Sequence, residues 1–230
     1  MRKKAIHRFI AGCAVLLLLG AAMQAQAQGS DSNKYQEGLH YFLVDQAPPP
    51  SADRLEVLEA FSYLCSHCNA FEPYISNWEK HRPEDVKFRR LPVVFGRSSW
   101  ELYARAYVTA DMLDIADKAH GAMMDRLWKD RKIMRSMQEI ADFYSQFGVD
   151  ADKFVATAKS FGVDRMLRED QLKVQSYGVQ GTPSLIVNGR YRVSGSAAVP
   201  NYDVMLDVVD FLIAKDRAEG ASQQGSGESD

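Results

Sequence analysis

The stretch that decides the fold is FSYLCSHCNAF, Phe61–Phe71, which places two cysteines three residues apart. The alternating segment RLEVLEAF, 54–61, ends here and predicts a strand, while NAFEPYISNWEKH, 69–81, has the apolar spacing of a helix. Residues i and i+3 in a first helical turn lie on one face, so the sulfurs of Cys65 and Cys68 can bond and separate with little backbone movement.

Three uses of such a pair are open: a structural disulfide, half of a zinc site, or a redox pair. A disulfide that closes so short a loop stabilises little, and a chain of 230 residues can bury a core without one. Zinc would need two further ligands, and the sequence has no second CxxC and no HxxxH. The pattern therefore favours a redox disulfide between Cys65 and Cys68, with no metal and no other cofactor.

The N-terminus has the pattern of an export signal. A basic start, MRKKAIHR, precedes an apolar run over 9–22 and small residues at Ala25 and Ala27, which predicts a signal peptide over 1–27. IAGC, 10–13, resembles a lipidation box, but the leucine run follows its cysteine rather than preceding it. Cleavage would leave Cys65 and Cys68 as the only cysteines of an exported chain, where a disulfide can persist.

Cleavage also changes the charge of the chain. The signal segment carries four basic residues and no acidic one, so the net charge falls from −2 to −6. An acidic surface argues against nucleic acid or an anionic membrane surface as a partner.

The order of predicted elements indicates an α/β fold with an insertion. A strand, a helix and a second strand, DVKFRRLPVVF, come first, and helical patterns then run from Ser98 to about Tyr177. PSLIV and RYRVS flank an Asn188-Gly189 turn and predict a hairpin before a last helix. We therefore expect one domain built from 28–97 and 178–215, an inserted helical domain over 98–177, and a disordered tail over 216–230.

The residues around the cysteines suggest their roles. Cys65 comes first and lies nearest the helix N-terminus, where partial positive charge and free N–H groups favour a thiolate, so it should be the attacking thiol and Cys68 the resolving one. A protonated His67 would stabilise that thiolate further. Glu59 lies in an apolar row of the strand. It either passes protons to and from Cys68, extends its carboxylate to water, or pairs with an arginine such as Arg90.

A second motif, GTPS at 181–184, begins the next strand. Pro183 cannot donate to the sheet there. A cis Thr182-Pro183 bond would turn the backbone and expose edge groups to a substrate chain, although an ordinary trans proline is the alternative.

Taken together, VLEAFSYLCSHC, QGTPSLIVNGRY and the helical block between them resemble the bacterial DsbA family of disulfide oxidoreductases, from about Tyr35 to Lys215. The resemblance implies a thioredoxin fold with an inserted all-helical subdomain. It implies a periplasmic enzyme that donates its disulfide to newly exported chains and is reoxidised by DsbB, a quinone-linked membrane partner. DsbA proteins are a general example of a very acidic cysteine and a strongly oxidising disulfide, which is the direction implied for Cys65.

The resemblance also assigns residues. Cys65 matches the nucleophile of the family, Cys68 its partner, His67 the histidine of its CPHC motif, Glu59 its buried acid and Pro183 its cis-proline.

Two positions depart from the pattern. Ser66 replaces the usual proline between the cysteines, which puts the oxidising strength in question but not the type of reaction. Thr182 precedes the cis-proline where well-known members have valine; this residue contacts the cysteines and the substrate backbone, so partner choice can differ.

Two other functions compete with a thiol oxidase. A disulfide reductase or isomerase would use the same chemistry, but isomerases of this type carry a dimerisation domain, and only about 30 residues separate the cleavage site from the first strand; we expect a monomer. A chaperone-like binder of unfolded chains would retain its activity when Cys65 is replaced by serine.

Overall fold

The computed structural model of this protein describes residues 34–53 and 55–226, with side chains to Gln223. The predicted signal peptide over 1–27 lies outside the described residues. No helix in the described part is both long and apolar enough to cross a membrane.

The described chain contains five strands and seven α-helices. In chain order they are β1 (Phe42–Leu43), β2 (Leu55–Phe61), α1 (Ser66–His81), β3 (Val86–Pro92), α2 (Ser98–Met112), α3 (Ala116–Trp128), α4 (Met137–Tyr144), a 3₁₀ turn (Ser145–Phe147), α5 (Ala151–Ala158), α6 (Phe161–Ser176), β4 (Ser184–Val187), β5 (Tyr191–Ser194) and α7 (Tyr202–Ser226).

The strands form one sheet in the order β1-β5-β4-β2-β3. Strands β2 and β3 are parallel and joined through α1, and the other neighbours are antiparallel. The β4–β5 hairpin turns at Asn188 and Gly189, whose φ angles of 53° and 66° are those of the predicted tight turn. The predicted thioredoxin fold with a helical insertion is confirmed, since helices α2–α6 separate β3 from β4.

Side chains of β2 alternate between the two faces of the sheet. Leu55 and Val57 pack with apolar residues of α1 and α7, including Phe71. Leu58 and Ala60 face the other way, toward the end of α6 and the segment after it. A second core fills the helical insertion, and both cysteines lie at its edge beside the end of β2. The thiol pair thus lies where the end of β2 meets the core of the insertion.

The predicted disordered tail over 216–230 is wrong for its first part, because α7 continues through Lys215 to Ser226. Asp216 is fully buried: its carboxylate accepts a hydrogen bond from Asn188 Nδ2 at 2.6 Å and lies 2.7 Å from Arg190 Nε. Gly220 lies so close to the backbone of Ser51 and Ala52 that a Cβ would be 2.5 Å from Ala52 N. These contacts to distant loops stabilise a polar segment whose composition alone predicts no order; residues 227–230 lie outside the described part.

Candidate active site

The two cysteines lie where β2 passes into α1. Cys65 is the N-cap residue of α1 with extended backbone, and its carbonyl accepts the first helical hydrogen bond, from Asn69 N at 3.1 Å. Ser66 and His67 are exposed, while Cys68 is fully buried one turn into the helix. Both cysteines are free thiols in this structure. Because Cys65 begins the helix, its sulfur is the one next to the free N–H groups of the first turn.

The surroundings of the two thiols shift their pKa values in opposite directions. A hydrogen bond from the Cys68 thiol is the main cause that lowers the pKa of Cys65 to about 5; the Thr182 side chain and the backbone N–H groups of Cys68 and His67 contribute in the same direction. Burial raises the pKa of Cys68, and its hydrogen bond to Cys65 and the nearby Glu59 raise it further. The site therefore favours a Cys65 thiolate beside a neutral Cys68 thiol.

The GTPS segment lies against the nucleophile. The Thr182-Pro183 peptide bond is cis, as predicted. In its protonated form, Cys65 donates a hydrogen bond to the Thr182 carbonyl oxygen, with Sγ and O 3.4 Å apart, which joins residues 117 positions apart. Pro183 is buried at the start of β4, and Thr182 is partly exposed beside Cys65. The fold thus places a backbone edge directly next to the thiol that would meet a substrate.

Glu59 is completely buried and pairs with Arg90, as one of the alternatives raised by the sequence predicted; its proton-passing role stays a prediction. The parallel register places Arg90 directly opposite Glu59, and Arg90 Nε lies 3.3 Å from Glu59 Oε2. Burial raises the pKa of Glu59 to about 7 although Arg90 opposes it. Glu59 also lies close enough to raise the pKa of Cys68 by its charge. A buried carboxyl that titrates near neutral pH beside a thiol has the properties of a proton carrier.

The structure places His67 on the surface. Its carbonyl oxygen accepts a hydrogen bond from the Tyr202 hydroxyl at 3.1 Å, which ties the first turn of α1 to the start of α7. Within the part of the chain that the structure describes, its imidazole makes no hydrogen bond or ion pair. Stabilisation of the Cys65 thiolate by a protonated His67 therefore stays a prediction.

The structure also shows buried polar residues that the sequence did not single out. Glu72 lies one turn after Cys68 on α1, with its Oε1 3.7 Å from Arg90 Nη2. His120 of α3 is buried between Glu72 and the Tyr63 hydroxyl. Helical spacing from Cys68 could have suggested Glu72, but no local pattern marks His120, since it lies 48 positions from Glu72. Among the described residues, no group of three or more potential metal ligands is placed to hold an ion.

A cysteine pair at the start of the first long helix of a thioredoxin fold, facing a cis-proline, defines the class of thiol:disulfide oxidoreductases. The protein-family model of the DSBA-like thioredoxin domain matches residues 56–207 of this chain. The chain is 35% identical to the thiol:disulfide interchange protein DsbA of Pseudomonas aeruginosa over 205 residues, which are 88% of this chain and 94% of that protein. The chain belongs to the DsbA family and is a thiol:disulfide oxidoreductase.

Solved structures agree with this assignment. The oxidoreductase DsbA of Xylella fastidiosa superposes with a TM-score of 0.72 at 33% identity, covering 78% of this chain and 96% of that one. Proteus mirabilis DsbA in complex with a non-covalently bound peptide, PWATCDS, superposes with a TM-score of 0.63 at 26% identity, covering 78% of this chain and 98% of that one.

Proposed function

We propose that this protein donates a Cys65–Cys68 disulfide to newly exported, unfolded proteins in the periplasm. The observation that carries the proposal is the asymmetry of the pair, with the pKa of Cys65 lowered to about 5 and that of Cys68 raised. Stabilising the Cys65 thiolate stabilises the reduced form relative to the disulfide, so the disulfide is readily given away.

The proposed exchange consists of two successive thiol–disulfide displacements. A substrate thiolate attacks Cys65 Sγ, which forms a mixed disulfide and releases Cys68 as the leaving group. A second thiolate of the same substrate then attacks the substrate sulfur that is bonded to Cys65 in the mixed disulfide. This forms the substrate disulfide and releases the Cys65 thiolate, so the substrate gains a disulfide and the enzyme gains two electrons. Cys68 needs a proton because the buried site disfavours its thiolate, and Glu59 is the group proposed to supply it.

The substrate contacts follow from the geometry beside Cys65. Thr182 offers backbone groups next to the nucleophile. Ser66 and His67, which follow Cys65 in the chain, are exposed. An extended peptide could pair with the backbone at Thr182 and Pro183, which is how sheet edges commonly take up a chain. The cysteine-containing peptide bound by the Proteus mirabilis relative supports this class of substrate.

A disulfide donor must pass its electrons on after each cycle. We propose a DsbB-like, quinone-linked membrane protein as the acceptor, with the Cys65 thiolate attacking the oxidised partner and Cys68 closing the disulfide again. Membership of the DsbA family supports this partner. Export to the periplasm is supported by the sequence pattern of residues 1–27, and we propose a monomer that needs no cofactor besides its disulfide.

The test is the redox equilibrium of the pair in glutathione buffers, read by thiol alkylation, together with oxidation of a reduced peptide that carries two cysteines. A donor should be largely reduced even in strongly oxidising buffer and should oxidise the peptide at a rate that Cys65→Ser abolishes. Cys68→Ser is the matched variant: it retains the nucleophile, and under mildly oxidising conditions it should accumulate unresolved mixed disulfide.

Other results would point elsewhere. A pair that stays oxidised until the buffer is strongly reducing would indicate a reductase or isomerase and would contradict the donor function. Retention of full activity toward unfolded chains by Cys65→Ser would indicate a binding protein instead.

A further inference from the structure

A buried cluster of charged side chains lies next to the thiol pair, between β2, β3, α1 and α3. Arg90 is its centre, because it lies within 4 Å of three carboxylates, those of Glu59, Glu72 and Glu79. One guanidinium cannot fully neutralise three carboxylates. The positions and charges of Glu72 and Glu79 therefore decide how strongly Arg90 stabilises the ionised form of Glu59. The proposed exchange reaction uses only Glu59 of this cluster.

His120 contacts the cluster from the helical insertion. Its ring lies in the core, with Nε2 3.0 Å from Glu72 Oε2 and Nδ1 3.1 Å from the Tyr63 hydroxyl. Burial and the charge of Arg90 lower the pKa of His120, against the raising effect of its contact with Glu72, and so favour the neutral ring. A carboxylate can only accept, so Nε2–H donates to Glu72 and Nδ1 accepts from Tyr63.

Glu72 depends on that contact. Burial by itself would raise the pKa of Glu72, but the hydrogen bond to His120 and the charge of Arg90, with a further hydrogen bond from Ser76, lower it. Glu72 therefore stays ionised with its Oε1 3.7 Å from Arg90 Nη2. Its negative charge in turn raises the pKa of Glu59.

We propose that His120 is a positioning residue for the thiol exchange, because it holds Glu72 against Arg90. The charge of Arg90 is then shared between Glu72 and Glu59, so Glu59 is less strongly favoured in its ionised form. Glu59 can therefore carry the proton that Cys68 gains and loses. The role rests on the proposed function of the Cys65–Cys68 pair. His120 acts through Glu72 and makes no hydrogen bond to either sulfur among the described contacts.

Other titratable groups face this pair of residues and stay in place when His120 is changed. Around His120 they are Tyr63, the Tyr107 ring at 6.3 Å, and Asp117 of the same helix. Around Glu59 they are Arg90, Glu79 and Cys68. Tyr107 of α2 also lies close enough to Arg90 to interact with its charge, but the contact between His120 and Glu72 is the one that the substitutions of His120 remove.

The direct test is a carbon-13 NMR titration of the Glu59 side-chain carboxyl in the reduced protein, with the signal assigned by its loss in Glu59→Gln. In His120→Leu, Glu72 loses its donor and its charge, and Arg90 then favours ionised Glu59. We expect the Glu59 midpoint to fall from about 7 by about one pH unit, the effect of one nearby charge. Glu72→Gln should produce the same fall.

Two further variants distinguish a positioning role of His120 from a non-specific disturbance of the core around it. His120→Gln offers an N–H to Glu72 and should keep the midpoint close to that of the wild type. In a Glu72→Gln background, His120→Leu should add no further shift, because the proposed path runs through Glu72. If His120→Leu does not fold, the comparison of Glu72→Gln with wild type and His120→Gln decides the same question.

The same variants should change the pH profile of disulfide transfer to a reduced peptide, once the rate is corrected for the peptide thiolate. The wild-type rate should fall as the pH rises and Glu59 loses its proton. In His120→Leu this fall should occur at a lower pH, and the shift should equal the shift of the Glu59 midpoint in the NMR titration. An unchanged Glu59 midpoint in His120→Leu and in Glu72→Gln would overturn the positioning role, whatever the activity. A wild-type protein that transfers no disulfide would overturn the proposed function instead, and the NMR titration distinguishes the two failures.

Discussion

Replacing Glu59 by glutamine should remove a large part of the pH dependence of folding stability in the reduced protein. Burial raises the pKa of Glu59 from its ordinary value of 4.5 to about 7 in the folded state. Between these two values the folded state holds a proton that the unfolded state has lost. Stability from this group is therefore fully present below about pH 4.5 and is lost as the pH rises through about 7.

The magnitude follows from the two values. At about 1.36 kcal/mol per pKa unit, the full interval corresponds to about 3 kcal/mol, most of which falls between about pH 5 and about pH 8. Glutamine does not titrate, so the free energy of unfolding of Glu59→Gln minus that of the wild type should rise by about this amount across the range. The absolute difference at any one pH also contains the loss of the Arg90 ion pair, so the slope is the quantity to measure.

The assay is urea unfolding of the reduced proteins at several pH values, with the dithiol kept reduced throughout. Glu59→Leu is the matched control, because it lacks the titrating group but differs from glutamine in polarity; its stability should be offset from that of Glu59→Gln by a constant. If the wild type and Glu59→Gln instead differ by the same free energy from pH 5 to pH 8, Glu59 is not kept protonated by burial, and the proton-carrier role fails with it.

Two further perturbations test the thiol pair and the last helix. Cys68→Ala removes the donor that is the main cause of the low pKa of Cys65, so the ultraviolet absorbance of the Cys65 thiolate should titrate well above pH 5, and an unchanged titration would assign the effect to the helix N-terminus. Gly220→Ala places a Cβ against the backbone of Ala52 and should destabilise the protein by about 1–3 kcal/mol in thermal unfolding. The control Gly121→Ala, in a helix with open space at its Cβ, should stabilise it by up to about 1 kcal/mol; equal effects of the two changes would show that α7 does not pack there.

Much of the fold could be predicted because its signals are local. The alternation in 54–61 predicts β2 to within a residue, and the Asn188-Gly189 pair predicts the hairpin that is found. The predicted disorder after Lys215 failed for the opposite reason. Composition describes a segment by itself, whereas Asp216 is ordered by Asn188 and Arg190 of the β4–β5 hairpin, and Gly220 by the backbone of Ser51 and Ala52, more than 100 residues away.

The sequence by itself determined the reactive chemistry: two thiols at helical spacing after a strand, a carboxylate in an apolar row, and a proline at the start of a later strand. Only the tertiary structure decided what surrounds them. The strand register places Arg90 opposite Glu59, and docking of the helical insertion brings His120 onto Glu72. Spacing along one element is set by its own geometry, but the charge and burial that a side chain meets depend on which distant elements pack against it, and these decide the protonation of Glu59, Cys65 and Cys68.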